Sequence, residues 1–266
     1  MHRFYLPTDR CAGNSLRLDG REAHHALHVL RLQHGESVIV LDGAGNEFRC
    51  VVENSSRSVM ELRIKEKNFI PPPPCSLTLL QAIPKAKIIE NIIQKAVELG
   101  ARRVVPLLTE RVVTKLNAKD AADKQEKWQQ VAIEAIKQCG AAWLPQIDTP
   151  AAIENILSHR NAGPEAGSLP SAFSLQPLAF ELSLVGSLQP ERRHPRECFQ
   201  EFQAKHGRPP KSVGVWIGPE GDFTLDELKQ IRAGGAQPIS LGRLVLRVET
   251  AAIYCLSILN YELNRD

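Results

Sequence analysis

The sequence predicts an α/β protein in which a small β-rich domain precedes the main domain. Three observations support this: four consecutive prolines at residues 71–74, short apolar segments bounded by turn residues before them, and alternating strand-like and helix-like segments after them. Four prolines in a row neither continue a helix nor pair inside a sheet, so they favour an extended connector. We therefore expect a first domain at residues 1–70, a linker at 71–75 and a second domain at 76–266.

The first domain is predicted from short β-like segments. Residues 42–46, Asp-Gly-Ala-Gly-Asn, are a turn signal between two of them. The Gly-Ala-Gly within this turn superficially resembles a dinucleotide-binding loop, but no helix follows and the third glycine is missing. We therefore interpret it as a hairpin turn. One helix is expected at residues 22–32. The predicted strands are residues 38–41, 47–52 and 59–64.

The second domain is predicted from its alternating pattern. Paired apolar residues at 88–89, 92–93 and 96–97 recur at the spacing of an amphipathic helix. Alternating strands and helices indicate a mainly parallel sheet with helices on both faces. The predicted strands are 76–83, 103–108, 178–185, 213–217 and a segment ending near 241, the helices are 87–99, 118–138 and 248–263, and the loops are 161–174 and 189–196.

Composition excludes several classes of protein. The net charge of +3 permits a polyanionic partner without requiring one. The six cysteines are far apart and form no CxxC pair, which favours reduced thiols over a disulfide scaffold or a zinc site. The N-terminus lacks the apolar stretch of a signal peptide, and no uncharged run approaches the length of a membrane span. We expect a cytoplasmic protein with no membrane partner.

A histidine cluster raises the question of a metal site. His24 and His28 would share one face of the predicted helix, and His25 lies beside them. No further ligand is close in sequence, so we expect no bound metal.

The strongest local signal is residues 213–228. A strand ends at Ile217, a tight turn follows, and a helix begins after Thr224, with Glu227 completing a capping box. In open α/β sheets, ligands bind beyond the carboxyl ends of strands. Gly218 and Gly221 would let a ligand approach the backbone there. Taken alone, the segment is equally explained as an efficient strand-to-helix turn.

The second signal is residues 239–251. An apolar loop carries Leu244, Val245 and Leu246, and the last helix opens near Arg247-Val248-Glu249. Apolar residues beside a glycine would suit a flat adenine ring, and Arg247 and Glu249 could orient one another or meet a substrate. The alternative is a buried loop with a surface ion pair.

Together these segments resemble the bacterial 16S ribosomal RNA (uracil-N3)-methyltransferase family of the SPOUT superfamily. The resemblance extends along nearly the whole chain. Its most specific parts are Gly218-Pro219-Glu220-Gly221 and residues 240–251, Ser-Leu-Gly-Arg-Leu-Val-Leu-Arg-Val-Glu-Thr-Ala. The other matching segments are Arg3-Phe4-Tyr5, residues 28–31, Asp42-Gly43, residues 95–100, Glu110-Arg111, residues 138–140 and Pro145.

The resemblance implies a PUA-like β-barrel at the N-terminus and a trefoil-knotted sheet at the C-terminus. It also implies a homodimer that uses S-adenosylmethionine to methylate N3 of one uridine in 16S ribosomal RNA of the small subunit. Three loops would hold the cofactor. Their residues are Leu184, Val185 and Gly186 in the first, Ile217, Gly218, Pro219, Glu220 and Gly221 in the second, and Leu241, Gly242, Leu244, Val245 and Leu246 in the third.

Further residues are implied to bind RNA. The chain departs from the family at Ile88, where a basic residue is common, and at Ala141, where arginine often follows Cys-Gly. The resemblance implies that the regions around both residues contact RNA in the family. The implied RNA-binding residues are Arg3, His28, Arg31, Lys85, Lys87 and Arg111.

The chemistry needs no metal and no covalent enzyme intermediate, because the methyl group of the cofactor is already electrophilic. Uracil N3 must lose a proton, so a cation and a base are required. Arg247 is the candidate for stabilising charge on a uracil oxygen, Glu249 for positioning Arg247 or accepting the proton, and Glu220 is a second candidate base. Two alternatives stay open: a noncatalytic ribosome-assembly protein with the same fold, and methylation at a different RNA position.

Overall fold

The computed structural model describes residues 1–85, 88–111, 116–159 and 179–263. These residues form two compact units. The first contains residues 1–73 together with 133–144, and the second contains residues 74–132 and 145–266. The linker at 71–75 and the two domain ranges remain predictions. The inclusion of residues 133–144 in the first unit has no counterpart in the sequence pattern.

The first unit is built on a five-stranded sheet with the order β1-β3-β4-β5-β2. β1 pairs with β3 in parallel, and the other pairs are antiparallel. The three predicted strands are present, each longer than expected, whereas the four-residue strands β1 and β2 were not predicted. The strands are β1 (His2–Tyr5), β2 (Ser15–Leu18), β3 (Ser37–Leu41), β4 (Asn46–Ser55) and β5 (Met60–Phe69).

The helix predicted at residues 22–32 is shorter than expected. It consists of α1 (Gly20–His24) and a π-helical turn at His25–Val29. Arg31 then adopts a left-handed backbone with φ 55°, which an L-residue disfavours and which ends the helix. Ala23 and Ala26 are buried in the apolar core of this unit.

The predicted hairpin between β3 and β4 is confirmed. Asp42 is buried, and its Oδ1 accepts hydrogen bonds from the backbone N–H groups of Ala44 at 2.8 Å and Asn46 at 2.9 Å. A side-chain oxygen thus satisfies the turn's own donors, as Asx turns do. No phosphate ligand is needed to explain the two glycines.

The second unit contains a seven-stranded sheet with the order β12-β10-β11-β6-β7-β8, and β9 pairs with β7. Every pairing is parallel. β11 lies between β10 and β6, so the chain returns to the centre of the sheet after forming β10. The strands are β6 (Ser76–Ala82), β7 (Arg103–Leu108), β8 (Gln146–Ile147), β9 (Ala151–Ala152), β10 (Leu182–Gly186), β11 (Ser212–Ile217) and β12 (Ala236–Ile239).

Helices cover both faces of this sheet. α2 and α7 pack on one another, and α7 contacts β6 and β11. α4 and α6 form a second pair, which buries Ile153 and Ile231 against Leu80 and Val105. This confirms the predicted α/β class; the trefoil knot stays a prediction. The helices are α2 (Ile88–Glu98), α3 (Ala118–Cys139), α4 (Ile153–His159), α5 (Pro195–His206), α6 (Leu225–Ala233) and α7 (Val248–Leu263).

Five elements of the second unit, β12, α5, α4, β8 and β9, differ from the sequence prediction. The last strand ends at Ile239 rather than near Leu241. α5 was not predicted, and it begins inside the loop expected at 189–196, because Pro195 occupies the first helical turn and His194 caps it. α4 and the two-residue strands are too short for a periodicity to be recognised. The loop expected at 161–174, Lys87 and residue 178 lie outside the described residues.

Candidate active site

A cavity of about 430 Å³ lies beyond the carboxyl ends of β10, β11 and β12. The segments that follow these three strands supply most of its lining. They meet at Gly186: a Cβ atom there would lie 3.3 Å from Ile217 Cδ1 and 3.5 Å from Leu241 Cδ1, one residue from each of the other two segments. The position is that expected for ligands of open parallel sheets, and the size is that of a small-molecule site.

The second of these segments is a rigid strand-to-helix turn. The predicted capping box is confirmed: Thr224 Oγ1 accepts the N–H of Glu227, and the Glu227 carboxylate accepts the N–H of Thr224. A Cβ atom on Gly218 would lie 3.1 Å from the backbone nitrogen of Phe223, which is tighter than ordinary contact. A side chain at position 218 would therefore force the turn to shift by a few tenths of an ångström.

Two other segments hold this turn from outside. The backbone N–H of Lys85 donates to Glu220 Oε1 at 2.9 Å. The guanidinium of Arg111 donates to the carbonyl oxygen of Gly221 and, at 3.3 Å, to that of Asp222. The chain after β6 and the chain after β7 thus fix the position of the turn that lines the cavity.

The third segment presents apolar side chains to the cavity. Leu244 and Val245 are 79% and 77% exposed, although both line the cavity. Gly242 has φ +107°, a backbone conformation that L side chains rarely adopt, and a Cβ atom added there would meet open space. Exposed leucine and valine in a concave site favour an apolar or aromatic ligand group.

Two charged side chains, Arg247 and Glu249, lie at the end of this segment. Arg247 directly precedes α7, Glu249 lies in its first turn, and both line the cavity. Neither side chain makes a hydrogen bond or ion pair with a residue that the structure describes. The alternative reading of an ion pair between the two is therefore not supported. The helix N-terminus adds partial positive charge beside them.

Most of the predicted cofactor and catalytic residues are brought together in this cavity. Leu184 and Val185 are not, because both are fully buried within β10, below the end of the strand. Gly221 lies beside Arg111 rather than in the lining. The predicted residues that line the cavity are Gly186, Ile217, Gly218, Pro219, Glu220, Leu241, Gly242, Leu244, Val245, Leu246, Arg247 and Glu249.

Seven lining residues were not predicted. Ser187, Leu188 and Asp222 directly extend predicted segments, so a wider window would have included them. Ile88 also lines the cavity and adds apolar surface to it. Val248 and Ala251 belong to α7, and Arg192 lies in the segment between β10 and α5, where no motif marked it.

The predicted RNA-binding residues lie in different surroundings. Arg3 donates to the carbonyl oxygens of Lys137 and Gln138, at the end of α3, and Arg111 is engaged with the turn as described. His28 and Arg31 are exposed, and so is the side chain of Lys85. Lys87 is outside the described residues. Among these residues, Arg31 and Lys85 present exposed cationic side chains. A role in RNA binding stays a prediction for all six residues.

Within the described ranges, no three His, Cys, Asp or Glu side chains are grouped as metal ligands. The rings of His24 and His28 lie 5.0 Å apart, each exposed. No helix of the described residues combines the length and apolarity needed to span a membrane.

Comparison with known proteins gives the class of the protein. A family model described as the RNA methyltransferase domain matches residues 71–260, and one described as the RNA methyltransferase PUA domain matches residues 18–65. The cavity therefore lies in an RNA methyltransferase domain that follows a PUA-like domain, which confirms the fold class predicted from sequence.

The relatives narrow the class to one family. The ribosomal RNA small subunit methyltransferase E of Synechocystis is 30% identical over 97% of this chain and 77% of its own length. That of Bacillus subtilis is 29% identical over 92% and 89%. A methyltransferase structure from Legionella pneumophila, with S-adenosylmethionine bound, has a TM-score of 0.80 at 29% identity and covers 98% and 97%. The chain belongs to the ribosomal RNA small subunit methyltransferase E family, the family its sequence resembles.

Proposed function

We propose that this protein transfers a methyl group from S-adenosylmethionine to N3 of one uridine in 16S ribosomal RNA. One observation carries the proposal. The same cavity is lined by glycine-containing turns, by exposed apolar side chains, and by Arg247 and Glu249, which make no ion pair with each other. Family membership and the cofactor in the Legionella structure support the same reaction.

The cavity fits the cofactor by the chemistry of its lining. Leu244 and Val245 offer exposed apolar surface for an adenine ring, and the open space at Gly242 lets a ligand reach the backbone. When bound, S-adenosylmethionine supplies an electrophilic methyl group. The remaining requirements fall on the protein: to position the uracil, to accept the N3 proton and to stabilise the resulting negative charge.

Arg247 stabilises that charge in our proposal. A guanidinium donates through several N–H groups in a fixed plane, which suits a uracil oxygen that gains charge as the proton leaves. The positive end of α7 acts in the same direction, because Arg247 lies at its N-terminus. N3 belongs to the pairing edge of the base, so the uridine must be unpaired to enter the cavity.

Glu249 is the preferred proton acceptor. Glu220 already accepts the backbone N–H of Lys85 at 2.9 Å, so this carboxylate is engaged in holding the turn. The Glu249 carboxylate makes no such bond with a described residue. Glu249→Gln should therefore reduce methylation more than Glu220→Gln at the same pH. Equal losses of methylation in the two variants would contradict the assignment of Glu249 as the proton acceptor.

The role of Arg247 is tested by Arg247→Ala. We expect loss of methyl transfer with nearly unchanged affinity for the cofactor, measured by single-turnover assays and calorimetry. Arg243→Ala is the matched control, because Arg243 is exposed in the same segment but does not line the cavity. Normal methylation by Arg247→Ala would remove this residue from the mechanism.

The target is tested in cells. A methyl group on N3 blocks base pairing and stops reverse transcription, so a deletion strain should lose one stop in its 16S ribosomal RNA. A stop that survives deletion would contradict the assigned target. Persistence of all stops, together with failure to bind S-adenosylmethionine, would instead favour the noncatalytic assembly protein.

We also propose that the protein acts as a homodimer in the cytoplasm, with residues 1–70 helping to bind RNA. The exposed His28 and Arg31 are the candidates in that domain, and Lys85 is the candidate beside the cavity. Sedimentation analysis tests the dimer. Charge-removing variants of Arg31 and Lys85 should raise KM for RNA and leave cofactor affinity unchanged.

A further inference from the structure

The cavity is lined by a cationic side chain, that of Arg192, to which the proposed mechanism assigns no role. Its described lining includes two cationic side chains, Arg192 and Arg247, and three anionic ones, Glu220, Asp222 and Glu249. Arg247 is assigned to the uracil. Arg192 is half-buried and lies in the segment between β10 and α5, outside the motifs recognised in the sequence.

The backbone around Arg192 is fixed to the sheet. The N–H of Arg193 donates to the carbonyl oxygen of Pro238 at 3.0 Å, and its own carbonyl accepts the N–H of Ser240 at 2.8 Å. This pairing attaches the residue after Arg192 to the end of β12, immediately before the third cavity segment begins.

The side chain of Arg192 is also held. Its Nη1 donates to the carbonyl oxygen of Leu188 at 2.8 Å, and Leu188 itself lines the cavity. One hydrogen bond uses only part of a guanidinium, which has five N–H donors. The remaining donors have no hydrogen-bond partner among the described residues. Arg192 is therefore oriented at the cavity with donors to spare.

We infer that Arg192 binds the carboxylate of the methionine part of S-adenosylmethionine, an inference that rests on the proposed function. The cofactor carries two cationic groups, the sulfonium and the ammonium, and a single anionic group, the carboxylate. Anionic residues of the lining suit the first two, whereas a guanidinium pairs with the carboxylate in a charge-assisted hydrogen bond. Arg192 thus selects for the intact amino-acid end of the cofactor.

The test compares S-adenosylmethionine with decarboxylated S-adenosylmethionine, which lacks only the carboxylate. Calorimetry on the full-length protein should give a weaker Kd for the decarboxylated compound by about tenfold or more, the range of a charge-assisted hydrogen bond. Arg192→Ala should weaken binding of S-adenosylmethionine by a similar factor and leave the decarboxylated compound nearly unaffected. The preference of the wild-type protein would then disappear.

The matched control is Arg193→Ala. Arg193 is the next residue and has the same charge, but its side chain pairs with Glu197 and Glu201 and does not line the cavity. This variant should keep the preference for the carboxylate, and Arg192→Lys should restore part of it.

Three results would overturn the inference. Arg192→Ala could weaken both compounds equally, it could weaken neither, or it could change only KM for RNA, which would assign Arg192 to a phosphate of the substrate. Failure of the proposed function looks different, because the wild-type protein would then bind neither compound.

Discussion

The carboxylate of Glu227 joins the start of α6 to the chain that follows β7. Its Oε1 accepts the backbone N–H of Glu110 at 2.8 Å, and its Oε2 accepts that of Thr224 at 2.8 Å. Glu227 is only 3% exposed, so neither backbone donor can easily turn to water instead. One buried side chain therefore holds both the cavity turn and the segment that carries Arg111.

Replacing Glu227 with Gln should lower stability. An amide has one acceptor oxygen, so one of the two backbone N–H groups must lose its partner, at a cost of about 1–3 kcal/mol. Chemical denaturation measures the loss. Asp226→Asn is the control, because Asp226 is an exposed neighbour in the same helical turn. Equal stability of the two variants would contradict the proposed role of the carboxylate.

Gly242 gives a second prediction. Gly242→Ala meets no nearby atom but must adopt φ +107°, which costs about 1–3 kcal/mol or shifts the segment. Gly235→Ala imposes comparable strain at φ +88°, also in open space, before β12. Both variants should lose stability, but only Gly242→Ala should also weaken binding of S-adenosylmethionine in calorimetry. Unchanged affinity in Gly242→Ala would separate this turn from the cofactor.

Leu244, the exposed leucine of the third cavity segment, gives a third prediction. Leu244→Ala should weaken cofactor binding by about tenfold, the value expected when much of a leucine side chain is no longer covered by a ligand. It should leave Tm nearly unchanged, since this side chain is 79% exposed. Leu225→Ala is the control: Leu225 is 73% exposed but lies outside the cavity. A similar effect of both substitutions would contradict a specific contact.

Thiol reactivity tests the packing of the fold. Burial raises the pKa of Cys255 to about 12 and that of Cys50 to about 12, so neither forms the reactive thiolate at neutral pH. Cys139 is exposed. A thiol reagent at pH 8 should modify Cys139 first, and Cys139→Ser should remove that fast phase. Fast modification of Cys50 or Cys255 would be evidence against the described core.

The pH dependence of stability includes a contribution from Glu181. Hydrogen bonds from the Arg208 side chain and the Lys211 backbone N–H lower its pKa to about 2. A carboxylate with a lowered pKa stabilises the fold above its unfolded pKa of 4.5, and the contribution is lost as the pH falls towards 2. The Tm difference between wild type and Glu181→Gln should therefore be largest near pH 7 and shrink below pH 4.5. A constant difference would contradict this pairing.

Regular elements and local motifs were predictable from the sequence because their signals are local. β7 and α7 begin and end where the periodicity indicates, and Thr224 with Glu227 marks the start of α6. α5 lacks a clear apolar stripe, and its start depends on a histidine cap that composition does not reveal. Strand order also depends on contacts between distant residues, which no local pattern contains.

The site was predictable to a similar extent. Lining residues after β11 and β12 were predicted from the motifs. Leu184 and Val185, which the resemblance implied, are instead buried inside β10, which ends at Gly186, one residue after its predicted end. Arg192 was missed because its place in the cavity comes from the pairing of Arg193 with the end of β12. The engagement of Arg111 with Gly221 was missed for the same reason: 110 residues separate the partners in sequence.

The segment 133–144 decides where this protein can be divided. Lys137 forms a buried ion pair with Glu22 at 2.8 Å, and Trp143 donates to the carbonyl oxygen of Ile70 at 2.9 Å. A fragment that stopped at the proline run would retain Glu22 but lose Lys137, its ion-pair partner. It would also retain Arg3 but lose the carbonyl oxygens of Lys137 and Gln138, to which Arg3 donates. Truncation at the prolines would thus yield a poorly folding N-terminal piece, despite the obvious break in composition there.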